Sequence, residues 1–250
     1  MNLELTEHQV SEYILCKKYP KYFIEKYVKT IGIEGVTNIE MNKATLRMLA
    51  RLHKNNRNII RKSRQVGCTT INMAYILWYA TFNIQKTIMI GSNTQSGANG
   101  LLSIIKNMHK MLPEFLTQPT IEYNMSSIKF SNQSKIKTFG SDSVLHATRG
   151  IMINYMYIDN FSYISDKVIA EFVQCNLPMH LSILGSKVVF VVDNHNRDSI
   201  REIVNRFVII GKWSECKIPY TFIHGRDAAW EKYWKSILGE KEFIKLFVVK

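Results

Sequence analysis

The run Ser63-Arg64-Gln65-Val66-Gly67-Cys68-Thr69-Thr70 has the order of a phosphate-binding loop, but Cys68 stands where such loops carry lysine. Residues 58–62 before it form an apolar-basic segment that predicts a strand, and residues 71–82 predict a buried helix. Between a strand and a helix, the first backbone N–H groups of the helix face an anion. The sequence therefore predicts that Arg64 to Thr70 bind nucleotide phosphates without the positive charge of that lysine.

A metal site and a missing base are predicted beside this loop. Nucleotide hydrolysis on such a loop uses a hydroxyl and a strand-end aspartate for Mg²⁺, and a carboxylate that polarises the attacking water. Thr69 supplies the hydroxyl, and Asp159 follows the apolar segment 155–158. Asn160 comes next, where the base is needed, and an amide can orient water but cannot accept its proton. ATP and Mg²⁺ are thus the expected ligands, with hydrolysis in doubt.

Other chemistry is open for the same residues. Asp159 could mark only a strand-end turn, or could share a metal with Asp193 as a nuclease pair, with Asp142 as the third carboxylate. His195 is either a further ligand or a surface residue. Cys68 is either a small residue that fills the loop or a reactive thiol, because a helix N-terminus lowers the pKa of a thiol.

The elements that would position these residues alternate along the chain. Further buried strands are predicted at 86–91, 153–158 and 187–192, and helices at 94–111, 166–174 and 198–207. Segments 120–123, 127–130 and 135–139 predict an antiparallel meander, and residues 1–40 predict amphipathic helices with a turn near Gly32 and Gly35. This order indicates an α/β fold with a mainly parallel sheet between helices, whose ligands bind at the carboxyl ends of the strands.

The charge of the chain predicts a polyanionic partner. Lysine and arginine number 33 against 20 acids in 250 residues, giving a net charge of +13. Between residues 43 and 64 there is no acid, and four basic residues recur at helical spacing opposite Leu46, Leu49 and Leu52: Lys43, Arg47, Arg51 and Lys54. These four either form a solvated helix face or follow the phosphates of double-stranded DNA.

Several classes of protein are disfavoured by composition. No stretch reaches the about 20 apolar residues of a membrane span, and the N-terminus lacks the pattern of a signal peptide. The four cysteines are far apart and form no CxxC pair, so we expect neither a disulfide framework nor a zinc site, as is typical of an intracellular protein.

Taken in order, seven segments resemble the ATPase domain of the large terminase subunit, the DNA-packaging motor of tailed bacteriophages. They are 20–27, 63–70, 112–116, 126–136, the turn Ala147-Thr148-Arg149-Gly150, the strand end Tyr157-Ile158-Asp159-Asn160-Phe161, and Gly225-Arg226-Asp227-Ala228-Ala229-Trp230. The resemblance covers nearly the whole chain. It implies a P-loop NTPase fold of the RecA/ASCE type, with a helical region at 1–56, an ATPase-like core at 57–210 and a helical C-terminal subdomain at 211–250.

The resemblance also implies roles for single residues. Arg64 matches an arginine that contacts phosphates, Thr69 and Asp159 match the Mg²⁺ positions, and Arg149 matches an arginine that acts in trans on a neighbour's nucleotide. Four functional motifs differ from the family: Cys68 and Asn160 replace lysine and glutamate, Thr45 replaces an adenine-contacting glutamine, and the coupling segment reads Val192-Asp193-Asn194-His195-Asn196.

Three hypotheses follow from these differences. The first is a terminase-like packaging protein of a phage with impaired or lost ATP hydrolysis, acting with double-stranded DNA, the portal and other terminase subunits, in a homo- or hetero-oligomeric ring in the host cytoplasm. The second is a non-catalytic DNA-binding or structural subunit. The third is a working but slow ATPase in which Arg64 replaces the lysine and Asn160 holds the water. The family's nuclease domain has no counterpart in these residues, and no membrane partner is expected.

Overall fold

Helices and strands alternate along most of the chain. The computed structural model describes residues 5–32, 35–193 and 198–249. The helices are α1 Glu7–Lys18, α2 Pro20–Tyr27, α3 Lys43–Lys54, α4 Cys68–Phe82, α5 Gln95–Lys110, α6 Val144–Thr148, α7 Asp166–Glu171, α8 Leu177–Leu181, α9 Asp198–Ile209, α10 Ala228–Leu238 and α11 Glu240–Phe247. The strands are β1 Lys29–Gly32, β2 Gly35–Asn38, β3 Arg57–Lys62, β4 Thr87–Ser92, β5 Thr120–Asn124, β6 Ser127–Phe130, β7 Lys135–Gly140, β8 Tyr155–Ile158, β9 Lys187–Asp193 and β10 Ser214–Ile218.

Eight strands form one sheet in the order β10-β3-β9-β8-β4-β7-β6-β5. The six strands from β10 to β7 run parallel, and β5 to β7 form the predicted antiparallel meander, which continues the main sheet. The mainly parallel α/β fold is confirmed. Because β3, β8 and β9 are neighbours that run in one direction, the residues that follow them meet at one edge of the sheet.

Alternate residues of the central strands enter two cores on opposite faces of the sheet. On β9, Val189 and Val191 join the core that includes α3, α4 and α5. Val188, Phe190 and Val192 join the second core, with α7 and α9. Burial on both faces explains why these strands are continuously apolar. Helix α4 lies in the first core with thirteen of its fifteen residues buried, which fixes the direction of its N-terminus.

Two expectations about the ends of the chain were wrong. Residues 29–32 and 35–38, predicted as helix and turn, pair as the antiparallel strands β1 and β2. Residues 214–218, inside the region predicted to be helical, form β10, which pairs with β3 and extends the sheet. The same region does contain two helices, α10 and α11. The division of the chain at residues 56 and 210 stays a prediction.

The C-terminal helices have a small core of their own. Tyr220, Phe243 and Phe247 are its buried residues, and Trp230 and Trp234 pack against it. We call α10 and α11 with residues 219–227 the C-terminal lid, because they cover the carboxyl edge of the sheet, as described below. Within the described ranges, none of the helices combines the length and the apolar character that crossing a bilayer requires.

Candidate functional site

The loop between β3 and α4 turns sharply through two residues with left-handed backbone. These are Gln65, with a φ of 55°, and Gly67, with a φ of 73°. Gly67 is required here for two reasons, because a side chain is strained at that φ and its Cβ would lie 3.3 Å from Thr45 Cγ2. The turn places the start of α4 at the carboxyl edge of the sheet, where its first N–H groups lack partners within the helix.

A cavity of about 740 Å³ opens beside this loop. It brings together six of the residues singled out in the sequence: Arg64, Gln65, Thr69, Asp159, Asn160 and Asp193. The volume lies in the range of small-molecule sites. The sequence therefore located the lining of one cavity from segments that are more than 120 residues apart.

The other loop residues lie elsewhere. Val66, Gly67 and Thr70 line a second cavity of about 260 Å³ together with Thr45, and Gln65 borders both cavities. The hydroxyl of Thr45 donates to the carbonyl of Glu40 at 2.9 Å, and a role of Thr45 in base recognition stays a prediction.

Asp159 is a buried carboxylate held at the end of β8. Its backbone N–H donates to Gly91 O at 2.9 Å, and Tyr157 Oη donates to Asp159 Oδ1 at 3.3 Å. Burial raises the pKa of Asp159, Lys62 opposes this rise, and Asp193 adds to it. A desolvated carboxylate beside a second one favours the arrival of a cation.

The donors in the cavity fit Mg²⁺ that arrives with a nucleotide. Mg²⁺ takes one or two carboxylates plus phosphate oxygens, and Asp159 and Thr69 offer a carboxylate and a hydroxyl in the same cavity. A nuclease-type site does not fit, because no group of three or more His, Cys, Asp or Glu that could hold a metal occurs in the described part of the chain. Asp142 is exposed on a separate turn, and His195 lies outside the described residues.

Asn160 follows Asp159 in a left-handed conformation, with a φ of 52° and a ψ of 35°. Asparagine tolerates this region better than most residues, since its short polar side chain bonds locally. Asn160 lines the cavity. Its amide can hold a water there, but it cannot take a proton from one.

Cys68 does not face the large cavity, but is buried at the first position of α4. Asn72 Nδ2 donates to its carbonyl at 2.8 Å and lies 3.5 Å from its Sγ. Burial raises the pKa of the Cys68 thiol well above its usual value, although Lys62 acts against this. Cys68 is therefore a neutral thiol at pH 7. The alternative of a reactive thiolate is disfavoured, and the alternative of a small filling residue fits.

Lys62 is the residue that sequence reasoning missed. It is the last residue of β3 and lines the cavity, with its Nζ 2.6 Å from Asp193 Oδ1. The two side chains are 14% and 13% exposed, and their residues are direct partners across the parallel pair β3 and β9. The opposite charges of Lys62 and Asp193, at the ends of two predicted strands, could have indicated this ion pair. Lys62 was considered only as part of a basic segment.

Neighbouring charges hold Lys62 in its protonated form. Burial acts to lower the pKa of Lys62, but attraction to Cys68, Asp193 and Asp159 outweighs it and leaves the pKa raised. Because Cys68 is neutral at pH 7, the two carboxylates dominate this attraction there. The cavity thus contains a buried ammonium group at the edge of a loop that lacks its own lysine.

The C-terminal lid is attached directly to the loop. Arg226 donates to Arg64 O at 3.0 Å and to Gln65 O at 2.8 Å, while its guanidinium lies 5.2 Å from the ring centre of Trp230. The N–H of Arg64 donates to Leu246 O at 3.1 Å, and Ser63 Oγ donates to Phe247 O. Trp230 and Trp234 line the cavity from the side of the lid. Hydrogen bonds therefore connect the loop to α11 and to Arg226, which precedes α10.

The four basic residues of α3 are exposed and share a helix, but part of the stripe packs against the protein. Lys43 Nζ lies 4.5 Å and the Arg47 guanidinium 5.6 Å from the ring centre of Phe222. Arg51 donates to Ser214 Oγ at 3.5 Å. Lys54 is exposed at the end of the helix. Leu46, expected on the opposite face with Leu49 and Leu52, is 37% exposed, whereas Leu49 and Leu52 are buried.

Arg149 does not lie at the cavity. It follows α6 and is exposed, and the adjacent Gly150 has a φ of 70°. In the coupling segment, Val192 is buried on β9 and Asp193 pairs with Lys62, whereas Asn194, His195 and Asn196 lie outside the described residues.

Comparison with known proteins supports the family resemblance. Residues 59–175 match the family described as "Terminase large subunit, T4likevirus-type, N-terminal". This segment of the chain is similar to the N-terminal domain of a terminase large subunit. The matched residues include the loop, Arg149, Asp159 and Asn160, so the resemblance seen in the sequence is confirmed for the part that holds the site.

Solved terminase structures share the fold of this chain. The HK97 bacteriophage large terminase aligns with a TM-score of 0.66 and 11% identity, covering 93% of this chain and 54% of that protein. The large terminase of a thermophilic bacteriophage gives 0.62 and 12%, covering 85% and 54%. The ATPase domain of the Thermus phage P74-26 large terminase gives 0.62 and 9%, covering 83% and 92%.

The chain spans about half the length of the two full-length proteins. Its match to the isolated ATPase domain covers nearly all of that domain. Structures of the thermophilic bacteriophage protein include complexes with ADP and with ATP-gamma-S. The terminase ATPase-domain fold is therefore shared, at identities that speak for the fold alone.

Proposed function

We propose that this terminase domain binds ATP at the loop 63–70 as part of a phage DNA-packaging machine, and that its ATP hydrolysis is impaired or lost. The observation that carries the proposal is the convergence of Arg64, Thr69 and Asp159 on one cavity, with Asn160 where the base is needed. Relatives of the same fold with bound ADP and ATP-gamma-S support nucleotide binding.

Each residue has a stated part in this proposal. The backbone N–H groups at the start of α4 hold the phosphates, aided by the positive end of the helix dipole. Thr69 and Asp159 would hold Mg²⁺, which when bound with the nucleotide neutralises the charge of the phosphates. Asn160 orients a water molecule but leaves its proton in place. Since general-base catalysis contributes about 10²- to 10⁴-fold, turnover falls by about that factor.

Calorimetry with ATP, with and without Mg²⁺, tests the binding step, and a phosphate-release assay tests turnover. We expect ATP to bind without Mg²⁺ and more tightly with it, and we expect turnover well below that of an active terminase. The variant Asp159→Ala should lose the effect of Mg²⁺ on binding, while Asp142→Ala, which removes an exposed carboxylate outside the cavity, should not. Absence of ATP binding, or turnover as fast as that of an active terminase, would refute the proposal.

The wider role rests on the family. We infer that the domain works at the portal of the procapsid in the host cytoplasm, with double-stranded DNA, the portal and other terminase subunits. In this proposal the subunits form a ring, and Arg149 of one subunit acts on the nucleotide of its neighbour. The net charge of +13 supports a DNA partner. Co-purification with portal protein and DNA from infected cells tests this assembly.

A second candidate function is non-catalytic binding of double-stranded DNA. The exposed stripe on α3 favours it, with Lys54 as the residue at its open end. Binding through n phosphates predicts that log K falls with log salt at a slope of about −0.9n. The change Lys54→Gln should reduce the slope by about 1. Arg47→Gln should also lower the melting temperature, because Arg47 packs on Phe222. Binding that ignores salt would exclude this function.

A further inference from the structure

The position of Lys62 accounts for the missing charge of the loop. Lys62 ends β3, one residue before the loop begins, and its side chain lines the cavity together with Thr69 and Asp159. Cys68, at the position where the lysine is expected, is buried and lies outside the lining of that cavity. The loop therefore lacks a lysine at its helix end, where Cys68 lies, but has one at its strand end, which is Lys62.

We propose that Lys62 is the phosphate-binding cation of this domain, and that Asp193 holds its ammonium group until the phosphates of a nucleotide displace the carboxylate. This inference rests on the proposed nucleotide binding and names the residue that replaces the loop lysine. It differs from the hypothesis that Arg64 fills this role.

The other two cations at the cavity are engaged elsewhere. Arg226 donates to the carbonyls of Arg64 and Gln65 and lies on the face of Trp230, so its guanidinium holds the lid to the loop. Arg64 reaches Tyr163 Oη at 3.5 Å on the exposed side of the cavity. Lys62 alone among these three is held at the inner wall, beside Asp159 and Asp193, where the low dielectric strengthens its pull on phosphate.

The charges in the cavity predict opposite effects on nucleotide binding when Lys62 or Asp193 is neutralised. Lys62 faces two carboxylates, Asp193 at 2.6 Å and Asp159 more distant, so the wall is negative before a nucleotide arrives. Asp193 competes with phosphate for the same ammonium group and also repels the phosphate. Removing the charge of Lys62 must therefore weaken nucleotide binding, and removing the charge of Asp193 must strengthen it.

Calorimetric titration with ATP in EDTA tests this, because chelation of Mg²⁺ removes any metal-binding role of Asp193. We expect Lys62→Met to weaken ATP binding by about 10- to 100-fold, the value of a charge-assisted hydrogen bond. We expect Asp193→Asn to tighten it by about threefold to tenfold. Lys217→Met is the matched control, since Lys217 is an exposed lysine on the neighbouring strand β10 and should leave the affinity unchanged.

The two variants also separate a nucleotide role from a structural one. Both break the same buried ion pair, so both should lower the melting temperature. A purely structural pair would weaken ATP binding in both variants, and that result would overturn the inference. Equal affinity of Lys62→Met and the unmodified chain would overturn it too and leave the proposed function standing. Absence of ATP binding by the unmodified chain would instead refute the proposed function, and this inference with it.

Discussion

Asn160 cannot act as a general base, and its backbone has a left-handed conformation. Its left-handed φ of 52° follows directly after Asp159, so the residue at this position must tolerate that conformation and also project into the cavity. For residues other than glycine, asparagine and aspartate, the left-handed region costs about 1–2 kcal/mol. Asparagine therefore suits this backbone conformation, but it cannot accept a proton from water.

Replacing Asn160 with glutamate should raise ATP turnover and lower stability. A carboxylate in the cavity restores a proton acceptor, for which we expect about 10²-fold faster phosphate release. The left-handed backbone should lower the free energy of unfolding by about 1 kcal/mol. Phosphate release and urea denaturation measure the two effects. Asn160→Asp is the control, because its shorter acid keeps the backbone preference. Unchanged turnover in both variants would show that the base is not what limits hydrolysis.

His180 makes stability depend on pH. It is 1% exposed on α8, and neither ring nitrogen has a hydrogen-bond partner. Burial lowers the pKa of His180, so as pH falls below the unfolded pKa of about 6.5 the unfolded chain takes up a proton that the folded chain refuses. Stability is thus full above that pH and is lost on acidification.

We expect His180→Leu to reduce this acid sensitivity. Urea denaturation between pH 8 and pH 5 should show a smaller loss of unfolding free energy than in the unmodified chain. Part of the loss should remain, since burial also lowers the pKa of His109 and of His53. His8, exposed on α1, is the control, and His8→Leu should follow the unmodified curve. Identical curves for His180→Leu and the unmodified chain would contradict the prediction.

Site residues could be predicted from the sequence only where a local sequence pattern indicates their chemical role. Thr69 and Asp159 were located because a hydroxyl after a loop glycine and an acid after an apolar strand are local patterns. Lys62 was not, because its meaning depends on Asp193, which lies 131 residues away in the chain and opposite it across two strands. Single-sequence reasoning has no access to strand register.

At the scale of elements, burial decides what the sequence could predict. Strands β4, β8 and β9 are apolar runs inside the sheet, and their positions were predicted. The hairpin β1–β2 was missed because most of it is exposed and it carries no apolar alternation. Strand β10 was missed because it contains charged residues. One of them, Glu215, pairs with Arg61 of the neighbouring strand β3. An edge strand is stabilised by such cross-strand pairs and by backbone hydrogen bonds rather than by an apolar pattern.

The C-terminal lid should report nucleotide binding through its tryptophans. Trp230 and Trp234 line the cavity, whereas Trp78 and Trp213 are buried in the two main cores. We expect ATP to change the fluorescence of the unmodified chain, and we expect Trp230→Phe/Trp234→Phe to abolish the change. Trp213→Phe is the control and should retain it. A signal that survives in the double variant would show that the lid does not sense the nucleotide.

At the scale of the whole molecule, the site and the likeness to terminases point beyond a single chain. The cavity contains parts for holding a nucleotide, while Arg149 lies away from it, exposed after α6. In the role proposed above, Arg149 would act on the nucleotide of a neighbour, because it does not line the cavity of its own chain. A domain that hydrolyses ATP slowly could therefore still accelerate hydrolysis by an adjacent active subunit.

Mixing this chain with an active terminase subunit should raise the ATPase rate of that subunit. A trans-acting arginine is worth about 10³- to 10⁵-fold in related enzymes, so even partial occupancy of a mixed ring should be measurable by phosphate release. Arg149→Ala should remove the stimulation without weakening ATP binding by the chain itself. Arg206→Ala, which removes an exposed arginine from α9, should retain it. A stimulation that persists in Arg149→Ala would assign the effect to assembly alone, because only a direct contact with the neighbour's phosphates requires the guanidinium group.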